Sequence, residues 1–434
     1  MGSVRSLCWF VLALLAAGCA PIPEDLSDNP DAYITYPPYR RGILERDLRE
    51  TSSKYSRDRI TSYGRATFPW DLLPEWDPPS RALTPSDAEQ FAEGETPLWG
   101  DSPLQGLAPP SPPTTRDEWV ELGRRVFFEY PLRDDSVTAA LVTVPGGTEQ
   151  TGFLEEDGEI VGLRLIQKPS GALAVGNTCA QCHAGRGPDG VVSGSQANKD
   201  MDIGAIRLLV MGLTPGNLPP ELDSTATEEL DRLGPGRGDV QSDGVFNPFA
   251  FPDLGGVGQM PLLHHNATWD QGGVATMAVR CETLFITASG QQHRIPRVLS
   301  WALAEYYHSL PPPAPELSAT DVPEEAARGE QLFEEEGCAG CHIPPLYTSD
   351  EPIPFATVGT DPEATTSSVR GTGFYRIPSL RGVSRTAPYL HHGEVDSLEL
   401  MLDPDRLETT PGHEFGHDLS PQEKEDLVTF LRTL

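Results

Sequence analysis

Two copies of one five-residue pattern contain four of the chain's seven cysteines. The pattern Cys-x-x-Cys-His occurs at Cys179–His183 and again at Cys338–His342. Two thiols at this spacing can both reach the vinyl groups of one porphyrin, and the adjoining imidazole is then directed at the iron. The sequence therefore predicts two covalently attached c-type haems. The attaching thiols are Cys179, Cys182, Cys338 and Cys341, and the proximal iron ligands are His183 and His342.

Three other structures could use a Cys-x-x-Cys pair. A thioredoxin-like redox pair needs no adjacent histidine and expects a βαβ context, which this sequence lacks. A zinc site built from both pairs leaves the two identically placed histidines unexplained. A disulfide across so few residues is strained. Haem attachment is therefore the preferred interpretation, and we expect the leftover thiol, Cys281, to be a small buried hydrophobic group.

The helices that must position the two motifs also repeat. A glycine stands four residues before a phenylalanine ahead of each motif, as Gly123 with Phe127 and as Gly329 with Phe333. On a helix these two positions share a face. We expect the glycine to permit a close helix crossing and the phenylalanine to pack against the partner helix and the haem.

A second pair of similar segments lies downstream. The segment from Pro252 to His265 parallels the segment from Pro378 to His392, and the alignment of their histidine pairs places one extra residue in the second copy. This alignment matches His264 with His391. The repeat therefore extends well beyond the haem motifs.

These signals predict a mainly α protein with two cytochrome c-like haem domains in tandem. The first domain covers 116–315 and is enlarged by loop and short β insertions, among them a predicted β-hairpin between Val137 and Gln167. The second domain covers 322–434 and ends in a helix that Ser420 caps.

Residues 1–19 have the features of a bacterial export signal. A short apolar run, too short to span a bilayer permanently, ends in Ala16–Cys19. These last residues resemble the lipobox of bacterial lipoproteins, in which the cysteine becomes the lipidated first residue. We therefore expect lipidation at Cys19 and a location on the periplasmic side of the outer membrane, with a simple secretory signal as the alternative.

Composition excludes several classes of partner. The chain has 43 prolines and a net charge of −32, which argues against binding to nucleic acid or to anionic lipid surfaces. Membrane contact is expected through the N-terminal lipid alone. Prolines and acidic residues are dense in 20–115, so this segment is predicted to be a Pro-rich tether.

Several segments together resemble the bacterial dihaem cytochrome c peroxidase superfamily: Leu122–Leu132, both haem motifs and Pro378–Leu398. Within it, Gly412–Gly416 and Asp243–Pro248 are similar to the rubber-oxygenase branch. The resemblance implies one haem with an accessible face as the reaction centre and a six-coordinate haem for electron transfer. It also implies peroxide or dioxygen as the oxidant and a small cytochrome or cupredoxin as the electron donor.

The sequence departs from the peroxidases at the sixth ligand of the second haem. Their ligating methionine corresponds to Asp405 here. The similarity to rubber oxygenases implies His413 as the ligand instead. Met401, His417 and an empty position are the alternatives, and the spacing of Met401 favours core packing.

The distal and relay residues are not assigned by the resemblance. His264 stands where the peroxidases hold an electron-relaying tryptophan. Trp269 and Trp301 could replace it, although core positions are favoured for both. Gln271 and Glu282 lie in the region of the peroxidases' acid–base pair, but surface roles are favoured for each.

Three functions stay open from the sequence. The preferred one is a dihaem oxidoreductase that reduces peroxide at one haem with electrons relayed through the other. The alternatives are a non-enzymatic electron-transfer cytochrome and a dihaem oxygenase acting on an apolar substrate. The missing peroxidase residues at Asp405 and His264 favour these alternatives.

Overall fold

The computed structural model describes residues 21–64, 69–187, 189–213, 224–239, 246–317 and 322–434. The predicted signal peptide and Cys19 lie outside these residues. Within the described ranges, each helix is too short or too polar to cross a lipid bilayer.

About 41% of the described residues are helical and 11% are in strands, which confirms the prediction of a mainly α protein. The α-helices are α1 Pro30–Thr35, α2 Pro37–Asp47, α3 Lys54–Ser62, α4 Pro85–Ala92, α5 Arg116–Glu129, α6 Ser136–Leu141, α7 Gly147–Gln150, α8 Ala180–His183, α9 Ile203–Val210, α10 Ser224–Arg232, α11 Val274–Ala288, α12 Arg297–Ser309, α13 Glu324–Glu335, α14 Phe355–Val358, α15 Glu363–Thr366, α16 Leu398–Met401 and α17 Pro421–Leu431. Short 3-10 turns cover Pro69–Leu72, Val257–Gln259, Cys338–Gly340, Val383–Arg385 and Pro404–Glu408.

The strands are short and pair antiparallel. They are β1 Ser80–Ala82, β2 Arg133–Asp134, β3 Glu155–Glu156, β4 Glu159–Ile160, β5 Leu163–Gln167, β6 Leu173–Asn177, β7 Gly185–Arg186, β8 Val192–Ser193, β9 Arg237–Gly238, β10 Phe249–Ala250, β11 Leu262–Leu263, β12 Trp269–Asp270, β13 Ile353–Pro354 and β14 Phe374–Tyr375. The largest sheet has the order β1-β5-β6-β2, and the other strands form two-stranded pairs.

Two helix crossings organise the core in the same way. Helix α5 crosses α12 at Gly123, where an added Cβ would lie 1.9 Å from the carbonyl oxygen of Ala302. Helix α13 crosses α17 at Gly329, where an added Cβ would lie 2.0 Å from the carbonyl oxygen of Asp426. Both glycines therefore permit the close crossings that the sequence predicts.

The phenylalanines of the two repeats also pack as predicted. The ring of Phe127 lies 5.3 Å from that of Tyr306 on α12, and the ring of Phe333 lies 5.4 Å from that of Phe430 on α17. Each ring contact lies one turn beyond its glycine, so both crossings bury an aromatic pair.

The downstream segments repeat without any insertion. Leu263 pairs with Trp269 in the first copy and Tyr389 pairs with Val395 in the second, at equal distances from Gly256 and Gly382. The predicted extra residue is therefore wrong, because the turn geometry rather than the histidine pairs sets the register. His265, not His264, is in register with His391.

The predicted insertion between Val137 and Gln167 is only partly a β-hairpin. Its first half forms the short helices α6 and α7. Strands β3 and β4 then pair across Asp157 and Gly158, whose φ values of 51° and 79° suit a tight hairpin turn. Strands β5 and β6 form a second hairpin immediately afterwards.

The prediction of a tether over 20–115 is wrong for much of its described part. Helices α1 to α3 bury aromatic side chains in the main core, and β1 forms an edge of the largest sheet. Some of the prolines that suggested a tether stand in the first turns of helices, as Pro30, Pro37 and Pro85 do. There the missing N–H has no helical partner to lose.

This N-terminal segment binds both halves of the chain. The carboxylate of Asp28 accepts hydrogen bonds from the backbone N–H groups of Val274 and Ala275, at 3.0 and 2.8 Å, and so caps α11. The backbone N–H of Tyr55 donates to the carbonyl oxygen of Val369 in the second half, at 2.8 Å.

Candidate haem sites

The first motif folds as a single helical turn, α8, directly after β6. The Nδ1 atom of His183 lies 3.2 Å from the carbonyl oxygen of Pro252. A hydrogen bond there requires a protonated Nδ1 and leaves Nε2 free for a metal. Burial lowers the pKa of His183 to about 4. The imidazole is therefore neutral, as an iron ligand must be.

Two thiols and an imidazole are grouped at the first motif. The thiols of Cys179 and Cys182 and the ring of His183 lie deep in the protein, as do the side chains of His264 and Arg280. Each of these residues is nevertheless partly accessible rather than fully buried. The residues present therefore fit a covalently attached haem.

The second motif repeats the arrangement of the first. A 3-10 turn covers Cys338–Gly340, and Nδ1 of His342 lies 3.1 Å from the carbonyl oxygen of Tyr347. The carbonyl of Pro378 is a second backbone partner of His342. Pro378 and Pro252 occupy the same place in the repeat. The contact of Nδ1 with the Tyr347 carbonyl leaves Nε2 of His342 free, as the Pro252 contact does for His183.

His413 lies opposite His342. The centroids of the two imidazole rings are 6.5 Å apart. Metal–imidazole bonds of about 2.0 Å place two rings on opposite sides of one ion with centroids about 6 to 6.5 Å apart. Burial lowers the pKa of His413 to about 4, which keeps its ring neutral. The geometry therefore fits one iron between the two rings.

The other candidates for the sixth ligand lie elsewhere. His417 places Nε2 3.2 Å from the carbonyl oxygen of Met401 and 3.4 Å from the guanidinium of Arg406. The structure therefore brings His413, rather than His417, to His342. Ligation by His413 stays a prediction.

The expected surface role of Glu282 is wrong. Its carboxylate is fully buried and accepts hydrogen bonds from Tyr33, Tyr63 and Arg297. Burial alone would raise the pKa of Glu282, but the charges of Arg297 and Arg40 outweigh it and hold that pKa below its ordinary value. Glu282 is thus an ionised structural anchor for the N-terminal segment.

The other suggested relay and acid–base residues are mostly core residues. Trp269 and Trp301 are both buried, and their indole N–H groups donate to Tyr55 at 2.9 Å and to Glu305 at 3.2 Å. Gln271 is half-buried, with its amide nitrogen 3.5 Å from Nε2 of His308. None of these contacts assigns a catalytic role.

Sequence reasoning missed the partner of His264. The Nε atom of Arg280 donates to Nε2 of His264 at 3.1 Å, and Nδ1 of His264 pairs with the hydroxyl of Thr268. His264 also has a φ of 66°, which is uncommon for a residue other than glycine. The one signal in the sequence is an arginine within helix α11, most of whose other residues are apolar.

The described cysteines form neither a disulfide nor a cluster with other metal-ligating side chains. All five are free thiols, and among the described residues no three His, Cys, Asp or Glu side chains converge on a metal site. Cys281 is 1% exposed, which confirms its prediction as a buried residue.

The two motifs differ in exposure. Ala180 and Gln181, between the first pair of cysteines, are buried. Gly340, between the second pair, is exposed, as is Ile343 directly after the motif. The second site therefore lies nearer to solvent than the first.

No family model matches the chain. Two curated proteins do match part of it. Methylamine utilization protein MauG of Methylorubrum extorquens is 33% identical over 124 residues, which are 25% of this chain and 34% of that protein. Cytochrome c peroxidase Ccp of Escherichia coli K12 is 30% identical over 122 residues, which are 25% of this chain and 24% of that protein.

Over these segments the chain is similar to members of the dihaem cytochrome c peroxidase superfamily, the family that its sequence motifs resemble. The two matches span about a third or less of each relative's length.

A solved structure of a MauG-like protein associated with microbial copper homeostasis aligns with 84% of this chain and 94% of its own. Its TM-score is 0.36 and its sequence identity is 16%. At this distance the likeness does not define the fold of the present chain.

Proposed function

We propose that the protein reduces peroxide at the first haem with electrons that enter through the second. The observation that carries this proposal is the position of His413 opposite His342. A second histidine closes the other face of the second site. Among the described residues, His183 has no such ring contact with a second histidine, so we assign oxidant binding to the first site.

The two cysteine pairs would hold the haems through thioether bonds, with His183 and His342 as proximal ligands and His413 as the sixth ligand of the second haem. A haem iron with a free axial position supplies oxidant binding and electron transfer when bound. The chain supplies access, ligation and charge.

Arg280 provides charge at the first site. Arg280 is partly accessible, and its Nε donates to Nε2 of His264. A fixed cation in a site of low dielectric stabilises negative charge that develops on a bound oxygen. Arg280 also helps to lower the pKa of His183, after burial, and so keeps that ring neutral.

Electrons would enter at the second site because that site is nearer to solvent. Ile343 and Phe415 are each 47% exposed and lie close in sequence to the two axial histidines. Both side chains present apolar area to solvent on a protein with net charge −32. A small basic cytochrome or cupredoxin would suit this surface, since opposite charge steers the encounter.

We also propose that Cys19 is lipidated and anchors the protein on the periplasmic side of the outer membrane. The support is the sequence of residues 16–19 alone. Growth with a labelled fatty acid should label the wild type but not Cys19→Ala. Equal labelling of both would contradict the anchor.

The peroxidase proposal is tested by low-temperature EPR of the purified holoprotein, fully oxidised and then half-reduced, with peroxide or dioxygen added. We expect one low-spin haem with two histidine ligands and one haem that reacts with peroxide. Two unreactive low-spin haems would instead indicate an electron carrier. A stable complex with dioxygen would indicate an oxygenase.

A further inference from the structure

Arg406 lies beneath the loop that carries His413. This arginine is 5% exposed and donates to four backbone carbonyl oxygens. Its terminal nitrogens donate to Thr410 and Gly412, both at 2.7 Å, and to His413 at 2.9 Å. Nε donates to the carbonyl of Met401 at 3.2 Å. Among the described residues, no carboxylate lies within ion-pair distance of Arg406.

The loop that Arg406 holds has an unfavourable backbone. Gly412 has a φ of 102°, and a Cβ there would lie 2.5 Å from the backbone nitrogen of Thr360. His413 has a φ of 53° and donates its backbone N–H to the carbonyl oxygen of Val358 at 2.7 Å. Left-handed residues other than glycine cost free energy and persist only where the surroundings fix them.

The chemistry of the guanidinium suits this task. Arginine has five N–H donors in a rigid planar fork, whereas lysine has three donors at one point. One buried arginine can thus satisfy several carbonyls that turn inward at different angles. Without it, those carbonyls would be buried and unpaired, and the loop would shift to reach water.

We propose that Arg406 is the positioning residue that holds His413 opposite His342 and so keeps the second haem closed to oxidants. This inference rests on the proposed function, in which His413 is the sixth ligand. Arg406 then decides which of the two haems meets the oxidant, although its own side chain contacts neither proximal histidine.

The test compares holoprotein variants Arg406→Lys, Arg406→Gln and His413→Gly. Arg328→Gln is the matched control, because Arg328 lies in the same half but pairs with Asp426 on α17. For each variant, EPR and visible spectra report the spin state of the second haem. Carbon monoxide binding to the reduced protein reports an open axial position, and the measured haem content normalises both signals.

We expect both Arg406 variants to convert a large fraction of the second haem to a high-spin, carbon monoxide-binding form. Lysine keeps the positive charge but lacks the planar set of donors. If Arg406→Lys also opens the second haem, the donor geometry of arginine rather than its charge holds the loop. Arg328→Gln should leave the second haem low-spin. Should the Arg406 variants carry both haems with an unchanged second-haem spectrum, the positioning role is overturned. If His413→Gly leaves that spectrum unchanged, the ligand assignment of the proposed function fails instead.

Discussion

The hydroxyl of Tyr33 donates a 2.8 Å hydrogen bond to the carboxylate of Glu282, a residue 249 positions away in the chain. Glu282→Gln removes a buried charge that faces Arg297, and leaves that guanidinium with Asp71 as its remaining ion-pair partner among the described residues. We expect a loss of about 3–5 kcal/mol in the free energy of unfolding, measured by urea denaturation at neutral pH. Glu330→Gln, at an exposed helical site, should change little.

The carboxylate of Glu282 also predicts how the stability of the fold depends on pH. The folded-state pKa of Glu282 lies below its ordinary value, so the ionised group stabilises the fold at neutral pH. This stability is lost as the pH falls through the lowered pKa. The difference in the free energy of unfolding between wild type and Glu282→Gln should therefore become smaller in acid. Urea denaturation at stepwise lower pH measures this difference. A gap that widens below pH ~4 would contradict this assignment.

Gly329→Ala should weaken the crossing of α13 and α17. Alanine improves helix propensity by about 1 kcal/mol, but its methyl group would lie 2.0 Å from the carbonyl oxygen of Asp426. Overpacking of this kind costs about 1–3 kcal/mol or more, so we expect a net loss of stability in thermal unfolding. Glu330→Ala, the next residue on α13, serves as a control. Equal melting temperatures for both variants would show that the crossing of α13 and α17 accommodates the added methyl group without loss of stability.

Removing one pair of cysteines should remove one haem. Cys179→Ala with Cys182→Ala leaves the second motif intact, and Cys338→Ala with Cys341→Ala leaves the first. Each double variant should lose the mass of one haem by intact mass spectrometry and half of the pyridine haemochrome absorbance. Retention of two haems by either variant would refute the attachment sites.

Reduction by a basic donor should depend on ionic strength. The chain carries a net charge of −32. At 0.1 M salt, the attraction between exposed charges is largely screened once they are more than about 10 Å apart. Stopped-flow rates with a small basic cytochrome should fall steeply as salt is added. Rates with a neutral small reductant should stay nearly constant and provide the control. A flat salt response for the basic cytochrome would show that charge does not steer the donor.

Much of the repeat could be predicted from the sequence because its signals are local. Gly123 and Gly329 mark helix crossings through a fixed helical spacing, and the capping box at Ser420 and Glu423 begins the last helix as expected. The motifs at Cys179 and Cys338 likewise follow from thiol spacing alone. Local chemistry of this kind does not depend on distant parts of the chain.

Long-range partners could not be predicted in the same way. The sequence does not reveal that the prolines near Tyr33 begin helices which pack on α11. Nor does it reveal that Glu282 is buried beneath two tyrosines. The register of His265 with His391 depends on turn geometry, which a repeated histidine pair conceals. Arg406 is likewise an ordinary arginine until the carbonyls around it are seen.

The cap that Asp28 places on α11 has a consequence for the order of events during synthesis. The chain must extend past Ala275 before this cap can form, and past Glu282 before Tyr33 finds its partner. Such distant closures make folding slow. Throughout that interval the thiols of Cys179 and Cys182 have emerged but are not yet enclosed by the finished core. The architecture thus gives the haem attachment that we predict at the first motif a period in which to take place, which ends when the earliest-made helices dock.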